Sequence, residues 1–343
     1  MMTKKHTWQI GMAKFWQKFR QQRLAYYSLI LFGVMTLVAV FAPIIANDKP
    51  LLVRYQGEYL LPILHDYPET KFGGEFETTA NYQDQAVVAM IRRDGELWLP
   101  PIAYGEFSLV LDAQMPHPAS PSRSHWLGTD DVGHDVLARI LYALRVSLLF
   151  GLALSVFGAV MGVGVGALMG YFGGMVDLLG QRLVEIWASL PQLFVMMIIA
   201  SIFEPSLSVL FVLLLCFGWL SLTALTRVQV LKMRQMPYVL ASKNLGIAPT
   251  TIIIRHILPK VVLLSVSQLP FMIAANIAAL TTLDFLGFGL PLGAASLGEL
   301  LAQGKNHLDA PHLVLSGFVV LSLLLSLLIF IGEGLRSAFD TQG

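Results

Sequence analysis

A chain of 343 residues that is 55% hydrophobic and only 13% charged, with mean hydropathy +0.66, is excluded from the water-soluble class and reads as a polytopic membrane protein. The net charge of +1 conceals a segregation: six Lys or Arg and no acid precede Leu24, whereas residues 48–138 hold fourteen Asp or Glu against six Lys or Arg. This asymmetry places the N-terminus and the acid-free 227–260 stretch inside and the acidic block outside, leaves no basic surface for nucleic acid, and the single cysteine, Cys216, allows no intrachain disulfide.

In chain order, Trp8, Met12, Phe15, Trp16 and Phe19 fall on one helical stripe with Lys14 and Lys18 opposite, so residues 1–23 are expected as an interfacial helix. Residues 24–46 form the first span; the apolar run is too long for a signal peptide and Ile44-Ile45-Ala46 lacks a small-x-small cleavage pattern. Residues 47–124 are an insertion whose prolines exclude long helices. Leu51–Tyr55 and Glu58–Leu61 flank Gln56-Gly57, and Ala89–Arg93 and Glu96–Leu99 flank Asp94-Gly95, which predicts two hairpins and hence a small β-containing cap. His117, His125 and His134 are too far apart for a helical metal pair and are read as loop histidines.

Residues 125–343 are expected to form a five-helix core. Gly128-Thr129-Asp130 reads as a turn, Asp135 as a cap of the helix that follows, and Arg139 and Arg145 as partners of the acids just before them. The second span, about Ser147 to Gly170, carries Gly158, Gly162, Gly166 and Gly170 at four-residue spacing, which flattens one helix face for close packing. The third span ends at Phe203 with Pro191 inside it, Glu204-Pro205 turns the chain, and a fourth span covers about Ser206 to Thr226. A fifth span over Val261–Leu283, a Gly- and Pro-rich outer segment at 284–312, and a sixth span over Leu313–Gly332 complete six spans with both ends inside.

Between the fourth and fifth spans, residues 227–260 carry Arg227, Lys232, Arg234, Lys243, Arg255 and Lys260 and no acid. Tyr238–Leu245 reads as a short helix, Gly246 as its stop, and Ala248-Pro249-Thr250 as the start of a second helix ending at Leu258 before Pro259. Such an elbow is a protrusion, and Val239, Leu240, Leu245 and Ile247 give it an apolar knob suited to a groove on another protein. A plain connector whose cations only set topology fits the same composition. No phosphate loop accompanies the elbow: Gly298 to Gly304-Lys305-Asn306 fails on spacing and lacks the Ser or Thr after lysine, so the chain is not expected to be an ATPase.

Four separated segments, His125–Ser147, Gly170–Pro191, Tyr238–Pro259 and Asp284–Gly298, together with the terminal Gly332-Glu333-Gly334-Leu335-Arg336, resemble the permease subunits of dipeptide and oligopeptide ABC importers. Ala46–Tyr55, Asn81–Asp84 and Leu283–Gly293 narrow the resemblance to the Yej-type importers of peptides and the peptide-nucleotide microcin C. The resemblance implies an all-α type I importer permease in the bacterial inner membrane, with six transmembrane helices, cytoplasmic termini and residues 47–140 periplasmic. It implies that the elbow is the EAA loop that docks on an ATPase, assigning Tyr238, Leu240, Ala241, Gly246, Ile247, Arg255, His256 and Pro259 to coupling. The implied partners are a second homologous permease, ATP-binding cassette subunits, a periplasmic peptide-binding protein and a peptide substrate. No cofactor is expected on this chain, with ATP and Mg held by partner subunits. Departures occur at Leu240, where the family usually has a carboxylate, and at Pro237, His134, Leu297 and Lys260; the first shifts docking toward apolar contact.

An ion-coupled transporter is disfavoured because the apolar spans hold no ionisable residue in their interiors. Ser265, Gln268 and Asn276, with Met272 between them, lie near one face of the fifth helix, where Pro270 permits a bend. They line the translocation pathway or, equally well, hydrogen-bond neighbouring helices. A non-transporting scaffold whose outer domain binds partners is the third alternative.

Overall fold

The computed structural model describes residues 15–110, 116–204, 206–291 and 293–340, the last without its side chain; Trp8, Met12, Lys14, Pro205 and Leu292 lie outside them. A short helix α1 (15–21) leads into α2 (Arg23–Val40) and α3 (Ala42–Ile45). A small β region with α4 (Gln85–Asp94) precedes the long α5 (Val136–Phe172). Next come α6 (Gly174–Ala188), α7 (Gln192–Ile202), α8 (Leu207–Gly218), α9 (Leu220–Arg234), α10 (Pro237–Asn244), α11 (Pro249–Ile252), α12 (Leu258–Val266), α13 (Leu269–Phe285), α14 (Leu297–Asn306) and α15 (Pro311–Asp340). Among the described residues five helices are long and apolar enough to cross a membrane, and six when the bent pair α6–α7 counts as one span. The chain is thus an all-α polytopic membrane protein with one small sheet. It divides into two compact units, one from Met1–Gly33, Leu148–Pro291 and Leu321–Gly343, the other from Val34–Ser147 and Leu292–Val320.

In the second unit, β1 (Leu52–Tyr55) and β2 (Glu58–Leu60) form the hairpin expected at Gln56-Gly57, with Tyr55 opposite Glu58 and both turn residues at positive φ. The second expected hairpin does not form. Residues 85–94 are α4 instead, and β3 (Gly95–Trp98) pairs antiparallel with β1, giving the order β2-β1-β3. The helix wins because the Asp84 carboxylate accepts the Ala86 N–H at 2.8 Å, while Val87 and Ile91, one turn apart, both bury against Val53, Tyr55, Phe72 and Tyr82.

The same unit contains a buried polar clasp. Asp130 accepts the backbone N–H groups of Val132, Gly133 and His134 at 3.1, 2.8 and 2.7 Å, and His134 Nδ1 lies 2.9 Å from its other oxygen. Asp135 caps α5 by accepting the Ala138 N–H and also meets His125 Nδ1 at 2.9 Å. Arg139, 0% exposed, donates to the carbonyls of Gly293 and Ala294 and to Glu299 at 3.0 Å, and stands 3.7 Å from Asp130. Arg139 therefore pairs with one preceding acid, as expected, and also with Glu299, far along the chain. Burial alone would raise the Asp130 carboxyl, but the hydrogen bonds from His134 and the charges of His134 and Arg139 outweigh it and hold the group below the usual carboxylate range. The stability this adds is present above about pH 4, the unfolded carboxylate value, and is lost as pH falls through the lower folded value. An Asp130→Asn chain should therefore melt lower than the parent near about pH 7 and lose less on acidification, a difference read from thermal unfolding in detergent as a function of pH.

In the first unit, α1 packs into the protein: Phe19 is fully buried against Ala25 and Ala338, and the Phe15 and Phe339 rings meet tilted with centroids 4.5 Å apart, leaving Trp16 exposed. The second expected span begins earlier than Ser147, because Asp135 starts an unbroken 37-residue helix at Val136. The third is broken rather than continuous, with α6 and α7 meeting at 70° across Ser189–Pro191. Proline has no N–H to bond and pushes Leu190 out of the helical region, so the helix restarts after it. The glycines of α5 lie along α8 and α9. A Cβ on Gly158 would stand 3.3 Å from the Gly218 carbonyl oxygen, on Gly162 2.8 Å from that of Trp219, on Gly166 2.6 Å from that of Thr223, and on Gly170 2.8 Å from that of Arg227. Both residue series rise together, so the two helices run parallel in contact through backbone.

Candidate functional site

Two features of the first unit carry the expected site residues: the elbow after α9 and the broken helix after it. The elbow begins at Pro237, which suits the first turn of α10 because its missing N–H has no helical acceptor there. Gly246 sits at φ +72°, its N–H bonded to Lys243 O at 3.0 Å, and turns the chain into α11. The expected knob is divided by the structure. Val239 is buried in a core with Val230, Met233, Ile252, Ile257 and Val261, and Ile247 packs against that core. Leu245, 79% exposed, and Leu240, 47% exposed, are what project, with Ala241 exposed beside them. Val239 and Ile247 therefore root the elbow rather than cap it.

The second elbow helix does not end before Pro259. Residues Ile253–Ile257 widen into a π turn in which the Leu258 N–H bonds to Ile253 O, five residues back, and α12 continues through Pro259 at its first turn. The extra residue moves the carbonyls that a proline ring would strike, so the helix absorbs the proline instead of stopping. Arg255 is exposed and His256 half-buried on this turn. Lys260 then lies 4.4 Å from the centroid of the Tyr238 ring, its Nζ 3.3 Å from the hydroxyl, tying the base of α10 to α12. Through Val239, Ile252 and Ile257 the protrusion is packed onto α5, α9 and α12 as one block.

The stretch expected as a fifth span, Val261–Leu283, is occupied by α12 and α13, interrupted at Ser267-Gln268 with Pro270 in the first turn of α13; the run long and apolar enough to cross a membrane is Pro249–Val266, and α13 is a shorter apolar helix. Gln268, at the break, lines two cavities. One of about 400 Å³ also takes in Gln192, Ser221, Phe271, Met272 and Asn276, and none of its lining residues is ionisable. The other, of about 280 Å³, includes Thr226, Gln229, Ser265 and Arg336. The three residues of the expected polar face differ in what they touch. Ser265 returns its hydroxyl to Val261 O at 2.9 Å, and Asn276 donates to Ser155 Oγ at 2.8 Å while also facing the first cavity. Carboxamides both donate and accept, so this cavity offers hydrogen bonds of either kind and no charge. If this cavity is part of a passage, Gln268→Leu lowers substrate uptake severalfold with little change in thermal unfolding. Asn276→Leu, which strips Ser155 of its donor, should cost about 1 kcal/mol of stability as well. Equal uptake by Gln268→Leu and the parent would remove Gln268 from the passage.

Sequence reasoning missed the interhelix pairs. Asp177 on α6 holds Arg227 on α9 in a bidentate pair, one bond 2.7 Å long, and Arg234 donates to Tyr171 O at 3.2 Å. It also missed α14, although Ser296-Leu297-Gly298-Glu299 is a capping box and Ser296 Oγ accepts the Gly298 and Glu299 N–H groups.

Comparison with known proteins adds a family. Residues 162–342 match the family described as binding-protein-dependent transport system inner membrane component, and residues 12–62 match the N-terminal TM domain of oligopeptide transport permease C. The chain is 47% identical to the inner membrane ABC transporter permease protein YejE of Escherichia coli K12, over 95% of each chain. It is 42% identical to the peptidoglycan transport system permease protein YejE of Agrobacterium fabrum, over 95% of this chain and 92% of that one. The dipeptide transport system permease protein DppC of Bacillus subtilis is 33% identical over 65% of this chain and 70% of its own.

Proposed function

Since the chain belongs to the binding-protein-dependent transport system inner membrane components, we propose that it is the permease subunit of an ATP-driven importer of oligopeptides and peptide-like compounds such as microcin C. Its relatives are named as permease proteins; on this reading the chemistry of ATP belongs to separate cassette subunits that hold ATP and Mg. A soluble binding protein delivers the peptide from outside; residues 47–140 face it, and both termini lie in the cytoplasm. A second, homologous permease completes the pathway.

The observation that carries this reading is the elbow itself, a protrusion with exposed Leu240 and Leu245 whose root residues Val239, Ile252 and Ile257 are buried in the same core as α5 and α9. A groove on a cassette subunit that grips Leu240 and Leu245 moves a rigid block, so closure of two cassettes on ATP is transmitted to the spans. The break at Ser267-Gln268 and the bend at Pro191 are where those spans yield. The uncharged cavity at Gln268 recognises the peptide backbone and leaves side-chain choice to the binding protein. The name of the Agrobacterium relative favours a second reading of the cargo, peptides derived from peptidoglycan, which present the same backbone amides. Deleting the chain from its host and restoring it tests the function: uptake of a labelled tripeptide and sensitivity to microcin C fall on deletion and return with the chain. Uptake that persists with a cassette unable to hydrolyse ATP would instead favour ion coupling.

A further inference from the structure

Beside the elbow, on the side of α5, lies a cavity of about 500 Å³ with Tyr171, Phe172, Arg234, Leu240 and Lys243 in its wall; it shares Leu240 with the coupling surface, but its cations play no part in the coupling reading. Its charge is one-sided. Among the described residues neither Arg234 nor Lys243 pairs with a carboxylate, and none of the lining residues is acidic. Asp177, within electrostatic reach of Arg234, already holds Arg227 with both oxygens. One nitrogen of Arg234 is spent on the Tyr171 carbonyl, which fixes the guanidinium at the cavity without neutralising it.

The cavity also sits at a defined depth. Phe172 ends α5 and Arg234 ends α9, two helices long and apolar enough to cross a membrane, so Arg234 stands where an apolar run ends and Lys243 lines the same cavity from the elbow. Aromatic residues at a span end and cations just beyond it are the side chains that meet lipid headgroups. Above the cavity, Phe157, Met161, Leu168 and Phe172 expose an apolar stripe along α5, and a Cβ on Gly164, in line with them, would meet nothing within 4 Å. The stripe is about the length of an acyl chain, and it ends at Phe172, in the cavity wall.

We propose that this cavity seats the phosphate headgroup of an acidic phospholipid between Arg234 and Lys243, with an acyl chain lying along the Phe157–Phe172 stripe. The lipid then bridges α5, α9 and the first elbow helix at the position where the protrusion is levered. A cassette segment bearing acidic side chains is disfavoured as the occupant because it would leave the adjoining apolar track uncovered.

The test uses the full chain, delipidated in a neutral detergent and titrated with phosphatidylglycerol or phosphatidylcholine in mixed micelles, reading bound lipid by native mass spectrometry and stability by thermal unfolding. Phosphatidylglycerol is expected to remain bound and to raise the melting temperature, phosphatidylcholine and inorganic phosphate to do neither. Lys243→Gln, an exposed change that leaves packing intact, should weaken phosphatidylglycerol about fivefold, and Arg234→Gln by a similar factor. Lys232→Gln, on the same helix as Arg234 but outside the cavity, should bind as the parent does. Equal affinity for the two lipids, or unchanged phosphatidylglycerol binding in Lys243→Gln, overturns the proposal. A shift produced by inorganic phosphate would mark a free-anion site, and one produced only by a polyglutamate peptide would mark a protein-docking site; either result also overturns it.

Discussion

Replacing Gly246 by proline should abolish peptide uptake while the chain still accumulates in the membrane. Gly246 holds φ at +72° and donates its N–H to Lys243 O. Proline fixes φ near −65° and has no N–H, so the native turn becomes inaccessible at a cost of about 3 kcal/mol or more. The cost falls on the elbow. Leu245, which precedes the turn, is redirected, while Val239, Ile252 and Ile257 keep the root in the core. Gly246→Ala is the graded control, since nothing lies within 4 Å of the added Cβ and only the left-handed backbone is penalised, by about 1–2 kcal/mol. Labelled tripeptide uptake, normalised to chain in the membrane, should fall to background for proline and partly for alanine. Wild-type uptake by the proline variant would show that the elbow transmits nothing.

Arg139→Met should be the most damaging single change outside the elbow. The guanidinium is completely buried, and it serves Glu299, the Gly293 and Ala294 carbonyls and, at longer range, Asp130. Methionine fills the volume but leaves these groups without a cation, and breaking a buried ion pair from one side costs about 3–5 kcal/mol. Glu299 is the exposed nerve of the arrangement. Burial already pushes its carboxyl up, and Asp130 and Asp131 push the same way, so Arg139, with a smaller contribution from His134, is what favours its charged form. Arg139→Lys should rescue little, because an ammonium cannot span these acceptors as the planar fork does. Adding Glu299→Gln to Arg139→Met should recover part of the loss. The readouts are detergent-extracted monodisperse chain and its melting temperature; a parent-like melting temperature for Arg139→Met would mean the clasp is dispensable.

The pattern of agreement with the sequence follows the range of the interactions. Local signals with one backbone solution were legible: Gln56-Gly57 turns a hairpin, Asp135 caps α5, and Gly246 turns the elbow. Ambiguous local signals were not. The Ala89–Arg93 run is short enough for strand or helix, and the choice was made by Asp84 at the N-cap and by Val87 and Ile91 finding the same core. Pro259 reads as a stop only if the helix before it stays α; the π turn at 253–257 removes the clash. The knob was misassigned at Val239 because a short amphipathic helix does not reveal which side the protein covers. Pairs made across the fold left no trace at all: Arg139 reaches Glu299 across 160 positions and Arg227 reaches Asp177 across 50, with no periodicity linking them.

Whether a separate ATPase drives this chain through the elbow is decided by gentle purification of the tagged chain from its native membrane, identifying what accompanies it, for the parent, Leu240→Arg and Gly246→Pro. An ATP-binding cassette subunit is expected to accompany the parent and to be lost from both variants, while the second permease remains with all three. A cassette retained by both variants, or absent from the parent under conditions that keep the second permease bound, would contradict it.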